Sequence, residues 1–539
     1  MPLPADNAVW PPRDLERVFR KYAEWNAWYS GTVNELRGAY GVYNYLRTSG
    51  KPNQMPELRA WNFMGRLANL FWGRPLEYGE TRTVLHVPVA ADLAQLSSSL
   101  LFAEPPEFTV EDKNAQTRLD LMLNSPDVHM LLQEQGESTA AFGGTYWTPQ
   151  WDLSGDAPDH VWMHGHNANT AVPEFAGSRL KAVTFWTRYD EDRTVYRHLE
   201  RHEQGAIIHG LYKGDWNNIG ARISFDAIPE TAHLSNIPGA VYPGDNTCVI
   251  TVPLNRLHVA YQPNVRPNGE FMGYGNTRWL GRSDYSGIEP TLNAIDETWS
   301  SWMADLKAGK SRLFVNSALM KSNGPGRGAR FNAEQDVFTM IDGIPDQEAG
   351  KNIQSTQFDI RVQEHEQTVY NLVKVALRHN GYSLSSYGEA GDIAQTATEV
   401  MDRKTDSELT RDKKKRYASA ALNYMGSVML ELDSIVYPGQ GSKPGLDVAS
   451  EFPETSQEDP LRTAQIIQML DAASSISLQT RVERANPGWT EEQILEEVDR
   501  IKAETPNPMT LDIPSTAAFQ YAEQPGGLSD DTANGDFQQ

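Results

Sequence analysis

The sequence predicts an α+β protein in which helices flank a β-rich middle. In residues 1–145, apolar side chains recur at three- and four-residue steps, the spacing of one helix face. Residues 145–262 instead carry short runs of β-branched and aromatic residues between polar turns, which indicates an antiparallel meander. Helical spacing then returns, and it predicts long helices over 285–309 and 396–437.

Length and charge limit the possible functions. A chain of 539 residues allows about three or four compact units. Its formal net charge of −23 argues against a general nucleic-acid coat, because free phosphate would be repelled. A single cysteine, Cys248, excludes a disulfide framework within the chain. Neither a secretory leader nor an apolar run of about 18 residues is present, so we expect a cytoplasmic protein or part of a particle assembled there.

The first helices follow from apolar spacing and from their end signals. One face of the first helix is marked by Leu15, Val18, Phe19, Tyr22 and Trp25. Asp14 precedes it as a candidate cap. Further helices are expected over 88–102 and 127–142, the second ending at Gly143 and Gly144.

The β-rich middle contains several predicted strands. They lie at 145–148, 183–187, 194–196, 206–208 and 249–252. A polar turn at 190–193 separates the second strand from the third, as in a hairpin.

The helix predicted over 285–309 has the clearest pattern. Its apolar face comprises Ile288, Leu292, Ile295, Trp299, Met303 and Leu306. These positions span about 27 Å of helix. Ser286 and Glu289 form a candidate capping box at its start. Trp299 and Trp302 lie on or beside the apolar face, which indicates packing on more than one side.

The remaining sequence alternates irregular and helical stretches. Strand-like segments occur at 313–315, at 337–340 and at Phe358, Ile360 and Val362. Helices are predicted at about 364–379, 396–437, 459–474 and 490–503, with a Gly- and Ser-rich break at 381–392. Residues 505–539 contain no Lys or Arg, and we expect a mostly disordered acidic tail.

A histidine cluster offers an enzymatic hypothesis. His160, His164 and His166 could bind zinc and leave a position open for hydrolysis. However, Gly165 and Asn167 favour a loop, where polar histidines without a metal are the more common finding. A metal-dependent hydrolase is therefore the alternative function.

Three other features favour structural interpretations. His198 and His202 fall in a strand-like run, where they share a face without converging on one ion. Residues 324–328 are Gly-rich but lack the flanking strand, helix and Lys of a phosphate-binding loop. Cys248 has no basic neighbour and is expected to be a small buried residue.

Two basic clusters contrast with the acidic chain. Between Leu306 and Ala333 there are six cations and no Asp or Glu. They are Lys307, Lys310, Arg312, Lys321, Arg327 and Arg330. The second cluster, at 411–416, is explained about equally well by a solvated helix face and by a DNA contact.

Several stretches in a fixed order resemble the portal proteins of tailed bacteriophages, the head–tail connectors. The version is the one common in long-tailed phages of actinobacterial hosts. The stretches are 87–92 through 101–106, 141–146 leading to 151–152, 280–285 through 296–303 to 309–310, 360–365, 381–383, 396–400 and 409–414. They span about 85–435, and the first 60 residues and the tail match weakly.

The resemblance implies a portal fold. This fold has a helical and β-rich wing, a two-helix stem, a small α/β clip, a long wing helix after a tunnel loop, and a helical crown. By resemblance the wing is 1–284, the first stem helix 285–309, the clip 310–363, the second stem helix 364–379, the tunnel loop 380–394, the long wing helix 395–440, the crown 441–504 and the tail 505–539.

The resemblance also implies a ring of about twelve copies around a channel for double-stranded DNA, closed by one repeated interface. The stem and clip cations named above would face the DNA. So would tunnel-loop residues Gly381, Tyr382, Ser383, Ser385, Ser386, Tyr387 and Gly388. Implied partners are the major capsid protein and scaffold, the terminase large subunit, and later the head-completion or adaptor proteins. The ring would occupy a unique capsid vertex of the virion after assembly in the host cytoplasm.

The family itself is not enzymatic, and no cofactor is implied. ATP hydrolysis belongs to the terminase, which agrees with the missing phosphate-binding loop. A carbohydrate-binding adhesin is a further hypothesis, suggested by the β-rich region and 14 Trp residues. The long helices over 285–309 and 396–437 fit an adhesin poorly.

Overall fold

The computed structural model divides the chain into two compact units, unit 1 (Met1–Pro453) and unit 2 (Glu454–Gln539). The structure describes residues 3–32, 35–36, 85–152, 158–191, 194–216, 218–308, 312–315, 321–322, 329–330, 353–356, 361–388, 397–453, 460–473, 475–486 and 489–504.

Unit 1 combines helices with antiparallel sheets, which confirms the predicted α+β class. Its described helices are α1 (Glu16–Ser30), α2 (Val89–Phe102), α3 (Lys113–Leu123), α4 (Pro126–Phe142), α5 (Glu289–Ala308), α6 (Val362–Asn380) and α7 (Ala397–Val436). Short 3-10 turns occur at Arg13–Leu15, Ala168–Thr170, Phe225–Ala227, Pro229–Asn236 and Gly275–Trp279.

A six-stranded antiparallel sheet forms the β-rich middle. It contains β4 (Ala171–Ala176), β5 (Arg179–Glu191), β6 (Thr194–Glu203), β7 (Ala206–Gly214) and β8 (Ala221–Ile223) in that order. The strand β9 (Thr247–Thr251) shares the outer edge of β7 with β8. The chain order of β4 to β8 is also their spatial order, which confirms the predicted meander.

A second sheet has three strands, two of which precede the six-stranded sheet in the sequence and one of which follows it. It contains β2 (Gly144–Gln150) at the centre, with β3 (Trp162–Asn167) and β10 (Ala260–Pro263) on either side. Short pairs complete the set: β1 (Glu107–Thr109) with β15 (Ala449–Glu451), β11 (Arg312–Val315) with β14 (Ile353–Thr356), and β12 (Lys321–Ser322) with β13 (Ala329–Arg330).

Buried apolar side chains form two main cores in unit 1. One core packs α1, α2 and α4 against β4 to β7 and against the adjoining ends of α5 and α6. The other packs α3 and the second half of α7 around β2, β3 and β10. Trp25, Trp28 and Trp147 are among the largest fully buried side chains, so these tryptophans serve packing rather than exposed sugar stacking.

Most predicted helices are confirmed within a few residues. Those expected at 88–102, 127–142, 364–379 and 396–437 correspond to α2, α4, α6 and α7. Gly143 ends α4 in the left-handed region with φ of 82°, the conformation expected of a glycine stop.

Two predictions about helix starts were wrong, and one helix was missed. Asp14 lies in a 3-10 turn, and α1 begins two residues later without a side-chain cap. Ser286 does not cap α5, since that helix begins at Glu289, whose carboxylate accepts the Gly287 backbone N–H instead. Helix α3 was not predicted, although Asp112 caps it by accepting two backbone N–H groups.

Some β predictions also need correction or lie outside the described residues. His164 and His166 lie on strand β3, not in a loop, because β3 pairs with β2 along its length. Val362 begins α6 rather than ending a strand. The strand predicted at 337–340 and the acidic tail at 505–539 lie outside the described residues.

Unit 2 contains three described helices. They are α8 (Pro460–Ala472), α9 (Leu478–Ala485) and α10 (Glu491–Glu504), and α8 and α10 confirm the helices predicted at 459–474 and 490–503. A small core of Val482, Ile494 and Val498 joins α9 to α10. In the described part of the chain, no helix combines the length and apolarity needed to cross a membrane.

A buried ion pair fastens α3 to the end of α7. Arg118 donates two hydrogen bonds to Asp433, from Nε to Oδ2 at 2.8 Å and from Nη2 to Oδ1 at 3.1 Å. The two side chains are only 4 % and 0 % exposed. Asp433 also accepts the Val161 backbone N–H at 3.2 Å and the Ser442 hydroxyl at 2.5 Å, so its oxygens are fully engaged.

The substitution Asp433→Asn tests this pair. It removes the buried carboxylate and leaves Arg118 with only the exposed Asp159 as counter-charge. We expect the free energy of unfolding to fall by about 3 kcal/mol in urea titration. The control Glu16→Gln, in an exposed pair with Arg20, should change it by no more than about 0.5 kcal/mol. Equal losses would contradict the assignment.

Candidate functional site

Helices α5 and α6 form an antiparallel pair. At one end Asp305 of α5 contacts His365 of α6, and at the other the Ser286 carbonyl, just before α5, contacts His379 of α6. The chain between the two helices is residues 309–361, which contain most of the cations predicted to face the channel. The pair therefore connects that segment to the rest of unit 1.

A cluster of charged and aromatic side chains joins the helices at the end nearer residues 309–361. Asp305 Oδ2 accepts hydrogen bonds from His365 Nε2 at 3.0 Å and from Arg361 Nη2 at 2.9 Å. The hydrogen bond from His365, with the Arg361 guanidinium, holds the pKa of Asp305 below its usual value. Trp302 stacks on the His365 ring, and Trp299 packs edge-on against Trp302. The tryptophan pair thus packs between helices, as the sequence predicts.

The other end of the pair meets a buried polar network, which we call the Lys414 node. It consists of Ser97 (α2), Asn264, Asp284, Tyr382 and Lys414 (α7). Lys414 Nζ donates to Asp284 Oδ2 at 2.7 Å, to Ser97 Oγ at 2.6 Å and to the Tyr382 hydroxyl at 2.8 Å. Asp284 also accepts from Tyr382 at 3.0 Å and from Asn264 Nδ2 at 2.7 Å.

Burial dominates the electrostatics of the Lys414 node. The Lys414 and Asp284 side chains are each 4 % exposed. Desolvation lowers the pKa of Lys414, while the adjacent Asp284 carboxylate opposes that shift. Burial, followed by the Asp284 charge, raises the pKa of Tyr382 well above its usual value. The node therefore holds one lysine and one carboxylate whose hydrogen-bonding groups are all used within the protein.

Two glycines allow the backbone to bring Asp284 into place. A Cβ on Gly281 would lie 2.0 Å from the Gly143 carbonyl oxygen, so only glycine permits this approach. Next to it, the Asp284 backbone N–H donates to the Ala140 carbonyl at 2.9 Å and Ser283 Oγ donates to Ala141 at 2.6 Å. The segment before α5 is thus fastened to the end of α4.

The predicted tunnel-loop residues 381–388 pack against α2 and α7 within unit 1. Gly381 ends α6 with φ of 75°, and Tyr382 is buried in the Lys414 node. The Ser383 backbone N–H and the Ser386 hydroxyl both donate to Ser407 Oγ of α7 at 2.9 Å. Ser383 Oγ also shares a hydrogen bond with Ser385 Oγ at 3.0 Å, and the Tyr387 hydroxyl donates to Asp92 of α2 at 2.8 Å, while Gly388 is exposed. Residues 389–396 lie outside the described part, and a DNA contact of this loop stays a prediction.

The structure describes the backbone at four of the six predicted channel cations. Lys307 lies in the last turn of α5, and Arg312 begins β11. Lys321 and Arg330 are direct partners across the β12–β13 pair, so the fold brings these two together. Lys310 and Arg327 lie outside the described residues, as does the Gly-rich loop at 324–328.

The basic run at 411–416 is only partly a solvated face. Besides Lys414, Arg411 is buried, and its Nε donates to the Leu100 carbonyl at 2.8 Å. The sequence signal for this is the spacing of Ser407, Arg411 and Lys414, which continues the buried face of α7 through Ala418. The sequence analysis missed these two residues because they stand among exposed cations.

The described histidines do not support the metal-dependent hydrolase. His164 and His166 lie on one face of β3, and His160 precedes that strand beside Asp159. Across the residues that the structure describes, no group of three or more His, Cys, Asp or Glu side chains is placed to hold a metal ion. Cys248 is buried and burial raises its pKa, as expected for a packing residue.

Residues 75–507 match the family described as phage portal protein, SPP1 Gp6-like. Among solved structures, the chain is similar to the neck of a native GTA particle computed with C12 symmetry. The identity is 10 %, the match covers 82 % of this chain and 96 % of that one, and the TM-score is 0.39. For the neck of an empty GTA particle computed with C6 symmetry, the values are 12 %, 83 %, 98 % and 0.37.

No curated protein matches the chain. The family match nevertheless covers most of the 539 residues, and it includes every segment of the Lys414 node and both paired helices. The chain therefore belongs to the SPP1 Gp6-like family of phage portal proteins, which makes it a structural component of a virion.

Proposed function

We propose that copies of this chain form a closed ring at a unique capsid vertex, through whose channel double-stranded DNA is packaged and later ejected. Membership of the portal family is the observation that carries the proposal. The antiparallel pair α5–α6 supports it, because a helix pair that is fixed at one end to a large unit can form one subunit's segment of a channel wall. A ring of about twelve copies would be closed by one repeated interface.

We assign the parts of the chain to those of a portal subunit. The wing comprises 1–284 and the long helix 395–440, the stem 285–309 and 364–379, the clip 310–363, the tunnel loop 380–394 and the crown 441–504. Strand β15 pairs with β1 in unit 1, which favours starting the crown at Glu454 instead.

The charge distribution supports a channel that guides DNA without gripping it. The chain carries −23 overall, yet no Asp or Glu interrupts the six cations between Leu306 and Ala333. The backbone register of β12 and β13 places two of these cations, Lys321 and Arg330, at opposite positions of one strand pair. A few cationic rings in an acidic tube would centre the duplex and let it slide.

The remaining proposals concern partners and source. The clip would dock the terminase large subunit during packaging and head-completion or adaptor proteins afterwards. The major capsid protein and scaffold would surround the ring, which would assemble in the host cytoplasm. We place the chain among portals of long-tailed phages of actinobacterial hosts, on the stretches quoted in the sequence analysis.

Electron microscopy of the purified chain tests the ring directly. We expect end-on views with rotational symmetry and a central hole at least as wide as a DNA duplex, about 20 Å. If the protein assembles only into rings whose centre is closed, or into open filaments, the proposal is wrong. Monomers alone would be followed by coexpression with the capsid protein and scaffold before the same measurement.

The paired substitution Lys307→Glu with Lys310→Glu tests the proposed DNA contact. Reversing two cations per subunit should reduce the DNA retained in filled particles while the ring still assembles, because repulsion of the phosphates replaces attraction. Retained DNA is measured by nuclease protection, and assembly by electron microscopy.

The matched control for this pair is Arg179→Glu with Lys181→Glu. These residues are exposed at the start of β5 and undergo the same change of charge. If both pairs retain DNA equally well, Lys307 and Lys310 do not face the channel.

The substitution Lys414→Met tests the attachment of the helix pair. It leaves the Asp284 carboxylate buried with only neutral donors, and we expect the free energy of unfolding to fall by about 3–5 kcal/mol. Rings should become rare, because the Lys414 node fixes the segment before α5 and the segment after α6. Adding Asp284→Asn should recover part of the loss, since no charge is then stranded. The control Lys413→Met alters the exposed neighbour on α7, and an equal loss there would contradict the assignment.

A further inference from the structure

The six-stranded and three-stranded sheets meet at a group of imidazoles, of which three are buried and His166 and His198 are half-buried. His198 and His202 come from β6, His209 from β7 and His166 from β3, while His258 lies just before β10. One carboxylate, Glu200 of β6, lies among them. We call these six residues the histidine cluster.

The hydrogen bonds fix the proton positions on one side of the histidine cluster. Glu200 Oε1 lies 2.7 Å from His202 Nε2, and a carboxylate only accepts, so His202 carries its proton there. In neutral His202 the other ring nitrogen, Nδ1, has no proton and accepts from His258 Nε2 at 2.8 Å. His258 Nδ1 is left without a proton, and it is buried without a partner among the described residues. A proton added there would find no acceptor.

The other side of the histidine cluster offers equally little room for a second charge. His198 Nε2 and His209 Nδ1 share one hydrogen bond of 3.1 Å, which requires one of the two nitrogens to be unprotonated. His166 stacks on Phe185 of β5, with ring centres 3.8 Å apart, and its Nε2 lies 3.1 Å from Thr148 Oγ1 of β2. A cleft of about 360 Å³, lined partly by His166, His198 and Glu200, brings water to this edge.

The neighbouring charged or titratable groups do not supply the negative charge that five protonated imidazoles would need. Those that face the cluster from neighbouring elements are Glu134 of α4, His164 of β3, Arg188 of β5, His233 of a 3-10 turn and Cys248 of β9. The Glu134 carboxylate raises the pKa of His164, which is not a member of the cluster. Arg188 is positively charged and His233 can become so, and neither supplies a negative charge. Glu200 is thus the one carboxylate within hydrogen-bond distance of the cluster's described imidazoles.

We infer that the histidine cluster makes the contact between the two sheets an acid-labile joint, closed at neutral pH and opened as the pH falls below about 6. Opening exposes the imidazoles to water, where they can be charged without a protein acceptor. The inference stands on the geometry of the cluster alone and does not depend on the proposed channel.

The expected direction follows from proton binding in the two states. Burial lowers the pKa of His166 and of His258 to about 3 and that of His209 to about 4, and it also lowers the pKa of His198. An exposed histidine has a pKa of about 6.5. The open state therefore binds more protons below pH 6.5, and acid favours it. Each such histidine raises the opening equilibrium constant about tenfold per pH unit.

Hydrogen exchange of the full chain at pH 7.5 and pH 5.0, corrected for intrinsic rates, tests the joint. We expect amides of β3 and β6 to lose at least about a hundredfold in protection at pH 5.0, while amides in the second half of α7 change less than tenfold. Unchanged protection of β3 and β6 at pH 5.0 would overturn the inference.

Two single variants assign the effect to the histidine cluster. His258→Gln keeps an N–H donor for His202, and His166→Phe keeps the stack on Phe185, yet neither side chain can be protonated. Each should weaken the pH response of β3 and β6 by about tenfold per pH unit. The control His129→Gln, on α4 outside the cluster, should leave the response unchanged. A response that is the same in all three variants would also overturn the inference, and the wild-type measurement decides it if a variant fails to fold.

Discussion

The arrangement of unit 1 depends on one buried ion pair, Lys414 with Asp284. It brings together α2, the segment before α5, the segment after α6 and the middle of α7, whose contributing residues lie 32 to 317 positions from Lys414 in the chain. Burying two charges costs several kcal/mol of desolvation each, so such a pair adds little net stability over an apolar contact. What it does supply is selectivity, because any other alignment of these segments would leave a charge buried and unpaired. The Lys414 node therefore fixes geometry more than it adds stability.

The Lys414 node also fixes the position of the helix pair α5–α6. Asp284 and Tyr382 stand immediately before α5 and after α6, so the same node fixes both helices where they leave unit 1. At the other end, Asp305 ties α5 to His365 and Arg361 across a pair length of about 21 Å, measured from His365 to His379. A pair held at both ends moves as one body. A load applied at residues 309–361 would therefore reach the rest of unit 1 through the Lys414 node rather than be absorbed by bending between the helices.

The sequence predicted the features that depend on local patterns. The helices α4, α5 and α7 show apolar spacing over many turns, and the hairpins from β5 to β7 show β-rich runs between polar turns. What it could not predict depends on contacts between distant residues. From the sequence, Lys414 resembles its neighbours Lys413 and Lys415, which are typical of a solvated helix face. No residue near it in the chain indicates that Asp284 is its partner. His166, His202 and His258 are separated by 36 and 56 positions, so only the pairing of two sheets brings them together. Helix α3 was missed although Ala115, Leu119 and Met122 have helical spacing, because it is only 11 residues long.

The Lys414 node and the histidine cluster differ in charge balance, and this difference predicts different behaviour. The Lys414 node pairs one cation with one carboxylate and satisfies both with neutral hydroxyl and amide groups. The histidine cluster places five imidazoles around Glu200 and leaves a nitrogen of His258 without a partner in the described part of the chain. We therefore expect acid to act on the contact between the sheets, where imidazoles outnumber carboxylates. If both proposals are correct, the β-rich part of a subunit can change its packing while the channel wall keeps its shape, because the two regions are held by interactions with different proton demands.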